Sequence, residues 1–125
     1  MSYKHTILLV DDKVLILDIC KQILEMKGYR VLMASTPSEA MQAVEKYDGE
    51  IHLLLTDVMM PAMNGVELSR RLSSLRNNMR TLFMSGYSAN LLAEEGVDFD
   101  TKNLIQKPFT MDELIRRVNS TLKKP

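Results

Sequence analysis

Three aspartates, a serine and a lysine pose the chemical question. Asp11 and Asp12 follow the apolar run Thr6–Val10, Asp57 follows "IHLLLT", Ser85 follows "TLFM" and Lys107 follows "NLIQ". Each polar residue stands where a short apolar run stops. If those ends converge, three carboxylates share one place. Two unit charges at about 4 Å repel by roughly 4 kcal/mol at an effective dielectric near 20. Either some are protonated or a cation lies among them, and Lys107 supplies one positive charge against three negative ones. A hard divalent ion completes the balance. Mg²⁺ takes oxygen ligands, retains several waters and needs few carboxylates. No Cys or His follows these runs in the sequence, which argues against zinc. Each residue also has a plainer role: Asp11–Asp12 as a helix N-cap, Asp57 as a turn residue before Pro61, Ser85 as a cap, Lys107 as a solvated lysine. Those roles do not explain why four run ends all carry the polar set.

The elements that would position these residues follow from the pattern. Apolar runs at Thr6–Val10, Arg30–Ala34, Ile51–Thr56, Arg80–Met84 and Asn103–Gln106 are short, rich in Val, Ile and Leu, and not strictly alternating. That is how inner parallel strands, covered on both faces, read. Helical patterns lie between them. Ile16, Ile19, Cys20, Ile23 and Leu24 recur at helical spacing and predict a sheet-facing stripe, ended by Gly28 at a C′ position. "TPSE" opens the next helix, with Thr36 as cap, Pro37 at the first position and Glu39 returning a bond to the cap. Its inner face is Ala40, Ala43 and Val44. A third helix after Asn64–Gly65 turns Leu68 and Leu72 inward. "TMDE" opens the last, with Thr110 and Glu113 as a capping box and Leu114, Val118 and Leu122 packed. Tyr87–Glu95 is a weaker helical segment, and the stretch after Gly96 reads as irregular. Five strands alternating with helices imply βαβ units, a parallel sheet and helices on both faces. In such a sheet the ligand site lies outside the carboxyl ends of the strands.

The bulk numbers agree with one domain and narrow the classes of function. The 125 residues can enclose a single core. Sixteen acidic residues balance sixteen basic ones, which gives no support for direct nucleic-acid binding or a membrane-surface role. One cysteine, Cys20, cannot form an internal disulfide, and this fits a reducing, cytoplasmic setting. No apolar run is long enough to span a bilayer, and "MSYKHT" lacks a signal-peptide core. Ten methionines are unusual and read first as core filler.

"LLVDDK", "LLLTDVMMPAMNG", "LFMSGYS" and "IQKPFT", in that order, resemble the receiver domain of two-component response regulators. The likeness runs from about Ile7 to Leu122. It implies a flavodoxin-like (βα)5 three-layer α/β sandwich with strand order 2-1-3-4-5. It implies a single receiver spanning 1–125, with a core of about 6–122 and no output domain. It assigns Asp57 as phosphoacceptor. Asp11 and Asp12 are the acidic pair that holds Mg²⁺, one of them through water, and the backbone carbonyl of Met59 is a further ligand. Ser85 becomes the switch hydroxyl, Lys107 the lysine that meets the phosphoryl group, and Pro108 the proline after a cis peptide bond. Most receivers carry an aromatic residue three places before the lysine. Here that place holds Leu104, a departure that puts the usual aromatic readout in question; Tyr87 stands nearby and reads as a surface tyrosine.

The resemblance further implies a phosphorelay. Phosphoryl would pass from a histidine kinase or histidine phosphotransfer domain to Asp57 and switch the surface formed by the last two strands and the last two helices. Leu15, Ile16 and Phe109 to Met111 flank the site and suggest an apolar docking patch. Self-association through the surface of the last two helices and the strand between them is a second expectation. Met59 and Tyr87, two places after Asp57 and Ser85, are bulky and not basic, and would shield an acyl phosphate from water. Two other readings compete: an Mg²⁺-dependent phosphohydrolase with an aspartyl nucleophile, and a degenerate receiver acting only as an interaction module. The first usually carries an acid where Met59 stands; intact Asp12, Asp57 and Lys107 oppose the second. A receiver of this kind is not a dedicated enzyme. The sequence most resembles receivers attached to hybrid sensor kinases, ahead of a free regulator.

Overall fold

The computed structural model describes residues 3–94, 96 and 103–123. Strands and helices alternate: β1 (Thr6–Val10), α1 (Val14–Met26), β2 (Arg30–Ala34), α2 (Pro37–Lys46), β3 (Leu53–Asp57), α3 (Gly65–Leu75), β4 (Arg80–Ser85), α4 (Ala89–Glu94), β5 (Leu104–Gln106) and α5 (Met111–Lys123). The strands form one parallel sheet in the order β2-β1-β3-β4-β5. β1 and β3 lie inside it and are buried along their whole length. Strand periodicity of two sends Ile7, Leu9, Leu53 and Leu55 into one core with α1 and α5. Leu8, Val10 and Leu54 go to the opposite core with α2 and α3. Both faces being dry explains why these strands do not alternate with polar residues.

A third, smaller cluster joins Val58, Phe83, Leu92 and Leu104. Through Leu92 it seats the six-residue helix α4, whose first turn is held by Ser88 Oγ accepting from Leu91 N at 3.2 Å. α4 therefore begins later than the segment expected from Tyr87, and the irregular stretch expected after Gly96 lies outside the described residues.

Several local expectations hold and several shift. Gly28 has φ 90° and ends α1. Thr36 caps α2 by accepting from Glu39 N at 3.1 Å, but Glu39 bonds Ser35 N and Oγ rather than the cap residue itself. Those bonds hold its carboxyl below the usual range. Thr110 Oγ1 accepts from Glu113 N at 3.1 Å. On α1 the buried stripe is Leu17, Cys20 and Leu24, with Ile16 and Ile23 at its margins. Ile19 is 46% exposed, contrary to expectation. At 100° per residue it lies about 200° from Leu17, off the stripe that Leu17 centres. β3 runs to Asp57 itself, so the acid is the last strand residue and shares the strand's rigidity.

Candidate functional site

The carboxyl ends of β1, β3, β4 and β5 bring the expected polar residues to one rim. Asp11, Asp57 and Ser85 are buried there, with Asp11 wholly inaccessible. Asp11 follows β1 and keeps to the sheet, donating its N–H to Ala34 O at 3.3 Å. Its Oδ1 accepts from Lys13 N at 2.9 Å and its Oδ2 from Lys107 Nζ at 2.7 Å. Both oxygens of this carboxylate are therefore engaged. The helix-cap reading of the acidic pair does not hold, because Lys13 occupies the N-cap position of α1 and makes no side-chain cap bond. Asp11 instead closes a turn one residue before the helix.

Lys107 reaches the site from the end of β5. Its N–H donates to Ser85 O at 2.7 Å, and the Lys107–Pro108 peptide is cis. The ammonium lies 2.7 Å from Asp11 and 3.7 Å from Asp57 Oδ1. Burial pushes the Asp57 carboxyl above its usual range; Lys107 pulls the other way and Asp11 pushes further up. More positive charge beside Asp57 would favour its ionised form.

Oxygen ligands for a cation are present. Asp11, Asp12 and Asp57 each place a carboxylate oxygen within 4.8 Å of the others, and this is the group of metal-capable side chains found among the described residues. Asp12 Oδ1 is buried and has no hydrogen-bond partner. Its nearest positive charge, Lys13 Nζ, is 3.8 Å away and beyond hydrogen-bond reach. An orphaned buried carboxylate oxygen among other carboxylates fits a hard cation such as Mg²⁺. Cys20 comes closer to this rim than the sequence suggested, within electrostatic reach of Asp11 and Lys107. Burial pushes its thiol up to about 11, so it offers no thiolate to a softer metal.

The loop after Asp57 is set by a close approach. A Cβ on Gly65 would lie 2.3 Å from the Asp57 carbonyl oxygen, closer than any real contact. Gly65 N donates to Val58 O at 2.7 Å, Thr56 Oγ1 donates to Asp57 O at 3.0 Å, and Asn64 caps α3 through Glu67 N at 2.9 Å. Thr56 and Gly65 thus clamp the peptide that carries Asp57 and leads to Met59. In the sequence Gly65 reads only as a helix start and Thr56 only as the end of an apolar run. The "TD…NG" spacing was the available signal.

Above the acids lies a cavity of about 350 Å³, bordered by Lys13, Asp57, Met59, Ser85, Tyr87 and Lys107. Ser85 Oγ accepts from Tyr87 N at 2.9 Å, which leaves its own proton free to donate. Met59 and Tyr87 are 40% and 51% exposed at the cavity mouth. Next to it, Ile16, Ile19, Cys20, Pro108 and Phe109 line an apolar groove of about 360 Å³ that shares Ile16 and Lys107 with the first cavity. Leu15, 71% exposed, stands on the α1 surface nearby. Leu104 is buried against Phe83, Leu92 and Val58.

A family model described as the response regulator receiver domain matches residues 7–119. The chain belongs to the response regulator receiver family. Sensor kinase CckA of Brucella abortus is 31% identical over 125 residues, 99% of this chain and 13% of that protein. Transcriptional regulatory protein CpxR of Escherichia coli K12 is 33% identical over 122 residues, 96% of this chain and 50% of that protein. This receiver thus spans half or less of the length of these curated relatives. Among solved structures, a CheY-like receiver domain protein from Methanospirillum hungatei superposes with a TM-score of 0.77 at 33% identity, covering 94% of this chain and 93% of that one. The receiver domain of hybrid histidine kinase CckA does so at 0.77 and 30%, covering 94% and 99%. The receiver is accordingly a domain of two-component signalling, with the flavodoxin-like 2-1-3-4-5 sheet expected from its motifs. No helix among the described residues is long and apolar enough to cross a membrane.

Proposed function

We propose that this receiver accepts a phosphoryl group on Asp57 from a phosphohistidine. The observation that carries the reading is the meeting of Asp57 with Asp12, whose buried Oδ1 is orphaned, and with the Lys107 ammonium, at a rim where Asp57 and Lys107 border an open cavity. Asp12, Asp57 and the Met59 carbonyl would hold Mg²⁺ directly. Asp11, both of whose oxygens are engaged by protein donors, would act through water. Bound there, Mg²⁺ would supply the positive charge that phosphoryl transfer needs at the non-bridging oxygens. The Asp57 carboxylate attacks phosphorus in line. The bond from phosphorus to the donor's imidazole nitrogen breaks, and the leaving nitrogen keeps the electron pair and takes a proton. Lys107 pairs with the arriving oxygens from the side of Asp11, and the free Ser85 proton donates to another. The clamp of Thr56 and Gly65 holds the Asp57 peptide still while the charge arrives.

The donor is a histidine kinase or a histidine phosphotransfer domain, seated on the apolar groove and on Leu15, Ile16 and Phe109. The groove opens beside Asp57, so a helix lying in it can present an imidazole to the cavity. Ile19, exposed on α1, lines this groove as well.

The test is mass measurement after incubation with Mg²⁺ and a small acyl-phosphate or phosphoramidate donor. One phosphoryl adduct is expected, lost in Asp57→Asn and retained in Ser85→Ala. Sustained turnover of a phosphate ester would overturn the proposal in favour of a hydrolase. No adduct with any donor, together with no Mg²⁺ affinity, would leave only an interaction module.

A further inference from the structure

The opposite edge of the sheet carries a second polar cluster that phosphoryl transfer does not use. His5 and His52 stand just before β1 and β3 and meet edge to face, with ring centroids 4.8 Å apart and planes at 83°. His52 Nδ1 accepts the Thr6 backbone N–H at 2.9 Å. That bond fixes the neutral tautomer, with the proton on Nε2, which points to Glu50 Oε2 at 3.6 Å. Backbone bonds reinforce the join: His52 N donates to Thr6 O at 2.9 Å and Arg30 N to His5 O at 2.9 Å. His5 Nδ1 is buried and has no hydrogen-bond partner.

We propose that His5 and His52 form an acid-sensitive latch that reinforces the join of β1 and β3 at their amino ends while the rings are neutral. A second proton on His52 can enter only at Nδ1, where it displaces the Thr6 N–H and leaves two donors facing each other. A proton on His5 Nδ1 would sit at a buried position with no acceptor, beside a second imidazole. Among the groups around the pair, Glu50 favours a protonated ring, its Oε2 lying 3.6 Å from His52 Nε2, but it gives the Thr6 N–H no replacement acceptor. Tyr29, just before β2, is a neutral ring 6.2 Å from His5. Lys4 adds positive charge, and Glu50 opposes it from the chain before β3. Arg80, at the start of β4, turns its guanidinium to Thr121 O at 3.0 Å. Burial, with His52 next, holds the His5 ring below its ordinary range.

The sign follows. His5 binds its proton less readily folded than unfolded, so stability is complete above the unfolded value near 6.5 and falls as pH drops through the lower folded one. The latch lies at the far end of the sheet from Asp57, so it couples the integrity of the fold, not the phosphoryl chemistry, to mild acid.

The experiment compares wild type with His5→Phe/His52→Asn, in which Asn Oδ1 can still accept the Thr6 N–H but nothing titrates. Urea unfolding is run at pH 7.5 and 5.5. The folded-to-unfolded ratio of wild type should fall at least about threefold more than that of the double variant, since each unit of pKa separation is worth about tenfold. Titration of Asp57 is common to both proteins and cancels in the difference. Equal falls overturn the latch. Should the double variant not fold, nitrogen-15 spectra of wild-type imidazoles decide. A neutral His52 carrying its proton on Nε2 at pH 7.5, with the Thr6 amide losing protection once it is protonated, supports the proposal. A proton on Nδ1 at pH 7.5, or Thr6 protection unchanged by protonation, overturns it.

Discussion

Asp11 and Asp12 are neighbours in sequence with opposite duties. Asp11 is wholly buried and bonded at both oxygens, one to Lys107, whereas Asp12 is partly exposed and keeps one oxygen unpartnered. Asp11 therefore anchors the lysine, and Asp12 keeps an oxygen that a cation could take. It follows that Asp12→Asn should relieve carboxylate repulsion and stabilise the metal-free protein by up to about 1 kcal/mol. The same change should abolish the rise in melting temperature that Mg²⁺ gives wild type. Thermal melts in chelator and in Mg²⁺ check both halves. At the cavity mouth, Met59 and Tyr87 present bulk and no base. Replacing them with Asn and Ser should admit water and shorten the life of the phosphorylated form several-fold, read as adduct decay by mass; an unchanged decay would remove their shielding role. At this scale the sequence was informative because each acid, the serine and the lysine ends a strand. It was less informative on α1, where six Leu and Ile residues crowd thirteen positions and several stripe phases compete. Ile19 was therefore placed on the wrong face.

Among the elements, the β3–α3 connection carries most of the positioning. Gly65 is required by space: its missing Cβ is where the Asp57 carbonyl sits. Gly65→Ala should force the 57–58 peptide to move, cost about 1–3 kcal/mol by overpacking, and weaken Mg²⁺ binding along with it. Urea unfolding and a Mg²⁺ titration followed by amide shifts measure the two effects separately, and unchanged Mg²⁺ affinity would show that the clamp does not position the site. The α2 and α3 termini are joined by Arg76, whose guanidinium donates to Gly49 O at 2.6 Å and Val44 O at 2.8 Å and also to Tyr47 O. That clasp was invisible in sequence, since an arginine after a helix usually meets solvent and nothing in the spacing brings it under a neighbouring helix. The caps at Thr36 and Thr110 were legible because they act locally. Which residue Glu39 would bond was not, because Ser35 offers two donors where the cap residue offers one. Leu104 belongs to this scale too. Buried beside Phe83 and Leu92, it ties β5 to α4 through packing, with no polar tip to alternate between interior and water.

The whole molecule is one sheet with two chemically distinct edges. Its carboxyl edge gathers acids, a lysine and an open cavity beside an apolar groove; its amino edge gathers two imidazoles. The alternating strand and helix pattern made the carboxyl edge foreseeable, because the parallel topology collects strand ends there. His5 and His52 lie 47 positions apart, and only the pairing of β1 with β3 brings them together. The central claim is that charge balance at the carboxyl edge lets Asp57 carry phosphoryl. The most direct measurement is residue mapping: phosphorylate with a small donor, reduce the acyl phosphate with borohydride, and locate the modified residue by peptide mass, in Mg²⁺ and in chelator. Modification at Asp57 that requires Mg²⁺ is the predicted result. Modification at another residue, or at Asp57 equally in chelator, would contradict it.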